Sequence, residues 1–188
     1  MKRLLPCLLA LCLGASLHAE SFAEREAAYT KAGREVVDLV NAKNIDAARI
    51  TALVLAMEQQ AVPMAQAYAK KFPAGKGVID TVIAQIAVVD AAGNVTALGP
   101  MKDMGFEVIE KQWHDLGYFK EHKPAVDLDN EDNEHFTDPL HTMIHPMMVL
   151  RAAIDYQTSK SDKDLKAMKE EMDEGLEQSV KTAGALSK

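Results

Sequence analysis

Between residues 135 and 148 the chain reads HFTDPLHTMIHPMM, a stretch with three histidines and an aspartate. His141 and His145 are four residues apart, so on a helix their rings project from the same face. Imidazole nitrogens are common ligands of divalent transition metals, and two rings one turn apart can bind the same ion. The spacing therefore predicts a metal site built on His141 and His145.

Two more donor groups stand just before this pair. His135 and Asp138 precede or open the expected helix, where a bent loop can bring either of them to the same ion. A set of nitrogen and oxygen donors suits zinc, iron, manganese or copper, so the predicted cofactor is a divalent ion of one of these metals. His114, on the preceding predicted helix, would reach the cluster if the two helices pack antiparallel.

Metal binding or buffering is a better interpretation than catalysis. The residues between His141 and His145 are Thr-Met-Ile, so the metalloprotease motif with its glutamate is absent. A catalytic metal also needs an open coordination position and a nearby acid or base, which Glu131 or Glu134 would have to supply. Enzymatic activity is therefore not predicted. The competing interpretation is that the histidines only form hydrogen bonds with the neighbouring acidic residues.

The methionines of this stretch allow a different ligand set. Met143, Met147 and Met148 offer thioether sulfurs, which bind copper(I) or haem iron. Methionine is more often a flexible filler of helical cores, and a Cys-x-x-Cys-His haem attachment site is missing. We therefore predict that these three side chains belong to the core.

The acidic segment DLDNEDNEHFTD, residues 127–138, has the carboxylate spacing of a calcium-binding EF-hand loop. It departs from that pattern at Asp132, where the loop requires glycine, and at Asp138, whose side chain is shorter than the usual glutamate. We interpret it as a solvated loop. Asp138 is also predicted to cap the next helix, with Pro139 as its first residue.

The elements that would carry these residues are mostly helical. Apolar residues recur at helical spacing over 22–40, 46–71, 101–121, 138–156 and 162–181, and residues 78–86 suit a buried helix. Pro63 and Pro146 are expected to kink or divide their helices. Residues 86–98 read as a β-hairpin that turns at Ala92-Gly93-Asn94. The predicted fold is mainly α, a single-domain bundle of four or five helices with a small β-hairpin over residues 20–188.

The chain opens with the pattern of a secretory signal peptide over residues 1–19. Lys2 and Arg3 are followed by an apolar run and by a small-residue segment that ends at Ala19. Cleavage would remove Cys7 and Cys12, which are the only cysteines, so the mature protein would have no disulfide, thiolate ligand or cysteine nucleophile. An exported, soluble protein without cysteine suggests the bacterial periplasm.

The net charge of the chain limits the kinds of molecule that it can bind. The full chain carries a formal net charge of −7, and loss of the basic leader makes it two units more negative. Such a protein is a poor ligand for nucleic acid or for anionic membranes, whereas it attracts cations. The predicted partner is a metal ion, with no nucleic acid and no membrane after cleavage. A protein partner stays open, because the alternatives are a chaperone-like helical interaction protein without metal and a small-ligand sensor that uses the hairpin.

Overall fold

The computed structural model describes residues 20–188, so the predicted signal peptide lies outside the described residues. It contains seven α-helices and one two-stranded sheet in this part of the chain. In chain order these are α1 (Phe22–Asn41), α2 (Ala47–Lys71), α3 (Lys76–Ile86), β1 (Ala87–Val89), β2 (Val95–Leu98), α4 (Phe106–Val108), α5 (Gly117–His122), α6 (Thr137–Ser159) and α7 (Asp162–Ser187). The predicted mainly α fold with a small hairpin is confirmed.

Four long helices, α1, α2, α6 and α7, pack against one another and enclose the main core. The first two begin with side-chain caps that satisfy their free amides. Ser21 and Glu24 form a reciprocal capping box at α1, and the Asp46 carboxylate accepts hydrogen bonds from the amides of Ala48 and Arg49 at α2. Among the residues described, no helix is both long enough and apolar enough for a membrane span.

Neither proline divides its helix: α2 runs through Pro63 and α6 runs through Pro146. Because proline has no amide hydrogen, the carbonyl four residues earlier loses its helical donor. In α6 the affected carbonyl is that of Thr142, and the Tyr29 hydroxyl donates to it at 2.7 Å. In α2 the affected carbonyl is that of Gln59, which lies 3.5 Å from a guanidinium nitrogen of Arg25. Helix α1 thus supplies donors to both carbonyls.

The helix predicted over residues 101–121 is wrong in its continuity. The segment forms a 3-10 turn (Pro100–Asp103), α4, a π-helical segment (Ile109–His114) and α5. Its backbone departs from the α-helical hydrogen-bond pattern, because the Asp115 amide donates to the carbonyl of Glu110, five residues earlier, at 2.8 Å. Gly117 then allows the chain to pass close to the Lys111 carbonyl, because a Cβ at this position would lie 2.4 Å from that oxygen. Val108, one of the apolar residues of this segment, is exposed.

The start of α6 also differs from the prediction. Asp138 is not the cap: α6 begins at Thr137, directly after a 3-10 helix over Glu131–Phe136. The backbone of Phe136 is already helical, so the chain enters α6 without the extended residue that a side-chain cap requires. The acidic segment is accordingly partly helical rather than an open loop.

The hairpin is confirmed over residues 86–98. Strand β1 pairs antiparallel with β2, and the Asp90 carboxylate accepts hydrogen bonds from the amides of Ala92 and Asn94 in the turn. An isolated hairpin is marginally stable, and this one packs on α2 and α3.

Candidate metal centre

Three histidines come together between α6 and the π-helical segment. His114, His141 and His145 each offer a ring nitrogen, and these three atoms lie within 4.8 Å of one another. His141 and His145 stand one turn apart on α6, as their spacing predicts. His114 is the last residue of the π-helical segment, and its ring stacks on that of His141 with centroids 4.5 Å apart. These residues could hold a metal ion.

In the neutral form of each ring, hydrogen bonds indicate which nitrogen carries the lone pair. Nε2 of His141 lies 3.1 Å from the carbonyl oxygen of His114, and because a carbonyl only accepts, that nitrogen is protonated and Nδ1 is free. Nδ1 of His145 lies 2.9 Å from a carboxylate oxygen of Glu171, which leaves Nε2 free. Nδ1 of His114 lies 3.1 Å from the Asp115 carboxylate, which again leaves Nε2 free. Such outer hydrogen bonds orient metal-binding histidines.

His145 is the most constrained of the three. Its side chain is 1% exposed, and its Nε2 is buried with no hydrogen-bond partner. A buried polar atom left without a partner costs about 1 to 3 kcal/mol, so natural proteins seldom keep one without a compensating role. A metal ion would supply the missing partner. Gly175 allows α7 to pack closely against His145, because a Cβ at this position would lie only 3.0 Å from Cβ of His145.

The electrostatics keep His141 ready to bind a cation. Burial, followed by the neighbouring His114 and His145, lowers the pKa of His141 to about 4. Its ring is therefore neutral at physiological pH, and a metal would not have to displace a proton from it. Two carboxylates of α7 lie beside His145: Glu171 at 2.9 Å from Nδ1, and Glu174 at 3.9 Å from Nε2.

At the limit of their separation, the three ring nitrogens lie farther apart than the ligands of one bound ion. A tetrahedral ion with bonds of about 2.1 Å places its ligand nitrogens roughly 3.4 Å apart, closer than the 4.8 Å limit seen here. The most widely separated pair of nitrogens would therefore approach by up to about 1.4 Å on binding. His114 and His141 are only partly buried and can adjust, whereas His145 is enclosed.

The other two predicted ligands lie apart from this group. His135 points toward α2, where the Tyr68 hydroxyl lies 2.8 Å from its Nδ1 and 2.9 Å from its carbonyl oxygen. Asp138 is half-buried, and burial raises its pKa, while the nearby Lys181 and His135 act in the opposite direction. Neither joins the three clustered histidines. The structure thus brings together two of the four predicted ligands and adds His114.

The methionines lie where a core filler is expected. Met143, Met147 and Met148 are all buried within the hydrophobic core, and their thioethers are packed among apolar side chains.

In the acidic segment, the Asp127 carboxylate accepts a hydrogen bond from the Asp129 amide, and Lys120 lies 3.7 Å from Asp129. Within residues 20–188 the histidine group is the one set of three or more such side chains close enough to share an ion.

Sequence reasoning did not assign a role to Glu171 or Glu174. On α7 they belong to a run of charged residues that resembles an ordinary solvated face. Their three-residue spacing puts both on one side of the helix, but only the packing of α6 against α7 shows that this side faces His145.

Comparisons with protein-family models, with curated proteins and with solved structures found no match for this chain. The geometry and chemistry of the histidine centre are therefore the basis for a functional assignment.

Proposed function

We propose that this protein binds a divalent transition-metal ion through His114, His141 and His145, and that it stores or carries the ion rather than using it in a reaction. The observation that carries the proposal is the buried Nε2 of His145, which lacks a hydrogen-bond partner while two further imidazoles lie within reach. Imidazole ligands suit zinc, copper and iron better than calcium or magnesium, which prefer oxygen.

The surroundings favour binding over catalysis. Glu171 forms a hydrogen bond with one nitrogen of His145, and within residues 20–188 the other carboxylate beside that ring is Glu174. Glu131 and Glu134, which a catalytic interpretation would need, belong to the 3-10 helix before α6, and neither contacts a histidine of the centre among the bonds described. A site of three imidazoles with carboxylates nearby is chemically suited to hold an ion.

The alternative functions have less support. The exposed large hydrophobic residues of the described chain, Val88, Val108 and Val180, belong to three different elements and do not form a stretch that a partner helix would need. The hairpin lies against α2 and α3, away from the histidine centre in sequence and in its contacts. Neither region has a feature comparable with the unpartnered nitrogen of His145.

As part of the same proposal, the metal is bound in the bacterial periplasm, which the signal-peptide pattern of residues 1–19 supports. There an acidic protein with a histidine centre would encounter metal ions in an oxidising compartment where it has no thiol to lose. Cell fractionation tests this directly: we expect the mature protein in the periplasmic fraction with Glu20 as its first residue. Recovery of the full-length chain from the cytoplasm would contradict it.

The binding experiment uses purified protein stripped with a chelator and titrated with Zn²⁺, Cu²⁺ or Mn²⁺ by calorimetry, with metal content measured after dialysis. We expect one ion per chain for wild type and at least a hundredfold weaker binding for His114→Ala and for His145→Ala. His122→Ala is the matched control, because that histidine is exposed and its contacts in the described structure are with the carbonyl and the ring of Tyr118. A hundredfold excess of free metal over Kd would stabilise the fold by about 2.7 kcal/mol.

Wild-type protein that retains no ion, and whose melting temperature does not change with any of the three metals, would refute the proposal. Because His145 is buried, its alanine variant is also checked by circular dichroism. His114→Ala, which truncates a side chain that is 25% exposed, gives a second reading that depends less on packing.

A further inference from the structure

We propose that Glu174 is the fourth ligand of the metal centre, and that it is a displaceable ligand through which the site exchanges its ion with an incoming donor group. This inference rests on the proposed metal binding. It assigns a role to a carboxylate that the three-histidine group alone does not include.

The orientation of His145 limits which of its ring nitrogens can bind a metal. Its Nδ1 is held by Glu171, so Nε2 is the only nitrogen that it can offer. That atom is buried and unpartnered, and the nearest carboxylate oxygen to it is that of Glu174, at 3.9 Å. The distance is too long for a hydrogen bond. It is close to the separation of two ligands bound to one ion.

The two glutamates of α7 differ in their exposure and in their contacts. Glu171 is 17% exposed and hydrogen-bonded to His145, so it is a positioning residue. Glu174 is 61% exposed, and the basic side chain that its carboxylate approaches in the described chain is His145, at 3.9 Å from Nε2. Because most of this side chain is exposed, its carboxylate can turn toward the ion or out into water.

The net charge of the site also favours a carboxylate as the fourth ligand. Three neutral imidazoles leave a divalent ion with its full double charge, and one carboxylate reduces the net charge to a single unit. An anionic fourth ligand therefore strengthens binding, while its solvent exposure leaves that position open to replacement. The exchanging group would be a small anion, or a carboxylate or imidazole side chain of another molecule.

The test uses Co²⁺, whose visible absorption reports the number and type of its ligands, together with a Zn²⁺ competition titration. The variant Glu174→Gln removes the charge and keeps the shape. Asp173→Asn is the matched control, because it makes the same change at the adjacent exposed position of α7. We expect Glu174→Gln to weaken Zn²⁺ binding at least tenfold and to change the Co²⁺ spectrum, and Asp173→Asn to match wild type in both.

Azide then probes the fourth position. If Glu174 occupies it, azide should alter the Co²⁺ spectrum of Glu174→Gln at a concentration at least tenfold lower than it requires for wild type. Equal Zn²⁺ affinity, equal spectra and equal azide response in wild type and Glu174→Gln would overturn the role of Glu174 and leave the three-histidine site standing. A wild-type protein that binds neither Co²⁺ nor Zn²⁺ would instead refute the metal proposal itself.

Discussion

The histidine centre and Glu58 are two buried polar regions of the same bundle, and both contain an atom without a hydrogen-bond partner. At the centre that atom is Nε2 of His145, which has two other imidazoles and a carboxylate around it. On α2, both carboxylate oxygens of Glu58 are fully buried with no hydrogen-bond partner in the described structure. Only the first region has several donor groups that converge on one point.

The chemistry of each region follows from its neighbours. Burial raises the pKa of Glu58 well above its ordinary value, so the side chain avoids the cost of a buried charge by keeping its proton. In the histidine centre, burial instead lowers the pKa of His141, so that this ring is neutral and able to bind a cation. A missing partner thus points to a ligand only where neighbouring side chains supply further donors.

The two regions should also respond to pH in opposite directions. A histidine whose pKa is lowered by folding binds its proton first in the unfolded chain, so acid destabilises the fold. A carboxyl whose pKa is raised by folding loses its proton first in the unfolded chain, so rising pH destabilises the fold. Metal-free protein allows the two contributions to be separated by substitution.

The largest effect is expected at His141. Its contribution to the free energy of unfolding is complete above pH 6.5, the unfolded value, and is lost as the pH falls to about 4, the folded value. The loss over this interval is about 3 kcal/mol. Urea unfolding of the metal-free protein at several pH values measures it, and His141→Gln should flatten the curve in this interval. His122→Gln should leave the curve unchanged, and parallel curves for wild type and His141→Gln would show that the ring is not buried as described.

A smaller effect is expected at Glu58. Replacement by Met keeps a similar volume and removes two unsatisfied oxygens, so Glu58→Met should stabilise the fold by about 2 kcal/mol at pH 7. The gain should be smaller at pH 4, because below the unfolded pKa both states of the wild type are protonated. Thermal and urea unfolding at the two pH values measure the difference.

Glu58→Gln separates the two causes of that gain. It removes the titration but leaves a polar group buried, so it should lose the pH dependence without the full increase in stability. Metal binding should be unchanged in both Glu58 variants, which distinguishes this region from the histidine centre. A loss of metal affinity in Glu58→Gln would show that the two regions are coupled.

The fold could be predicted from the sequence where one periodicity persists. Apolar residues at helical spacing gave α1, α2, α6 and α7, and the Gly93 turn gave the hairpin. Prediction failed over residues 101–121, because the π-helical hydrogen bonds shift the inner face in a way that a 3.6-residue period does not represent.

The candidate site was predicted to a similar extent. The spacing of His141 and His145 was sufficient to pair them, since both lie on one helix. His135 was grouped with them by proximity in sequence, but the distant Tyr68 hydroxyl satisfies its ring. Glu171 is paired with His145 across twenty-six positions of chain. A contact of that kind depends on how α6 and α7 pack, which local sequence does not encode.

The smallest effect concerns the support of α6 behind the centre. The Tyr29 hydroxyl donates to the Thr142 carbonyl, which has no helical donor because residue 146 is proline. Tyr29→Phe should therefore lower the free energy of unfolding by about 1 kcal/mol. In a Pro146→Ala background the new amide can donate to Thr142, so the same substitution should cost less. Urea unfolding of wild type, both single variants and the double variant completes the cycle. Equal costs of Tyr29→Phe in the two backgrounds would show that the hydroxyl does not replace the donor that Pro146 lacks.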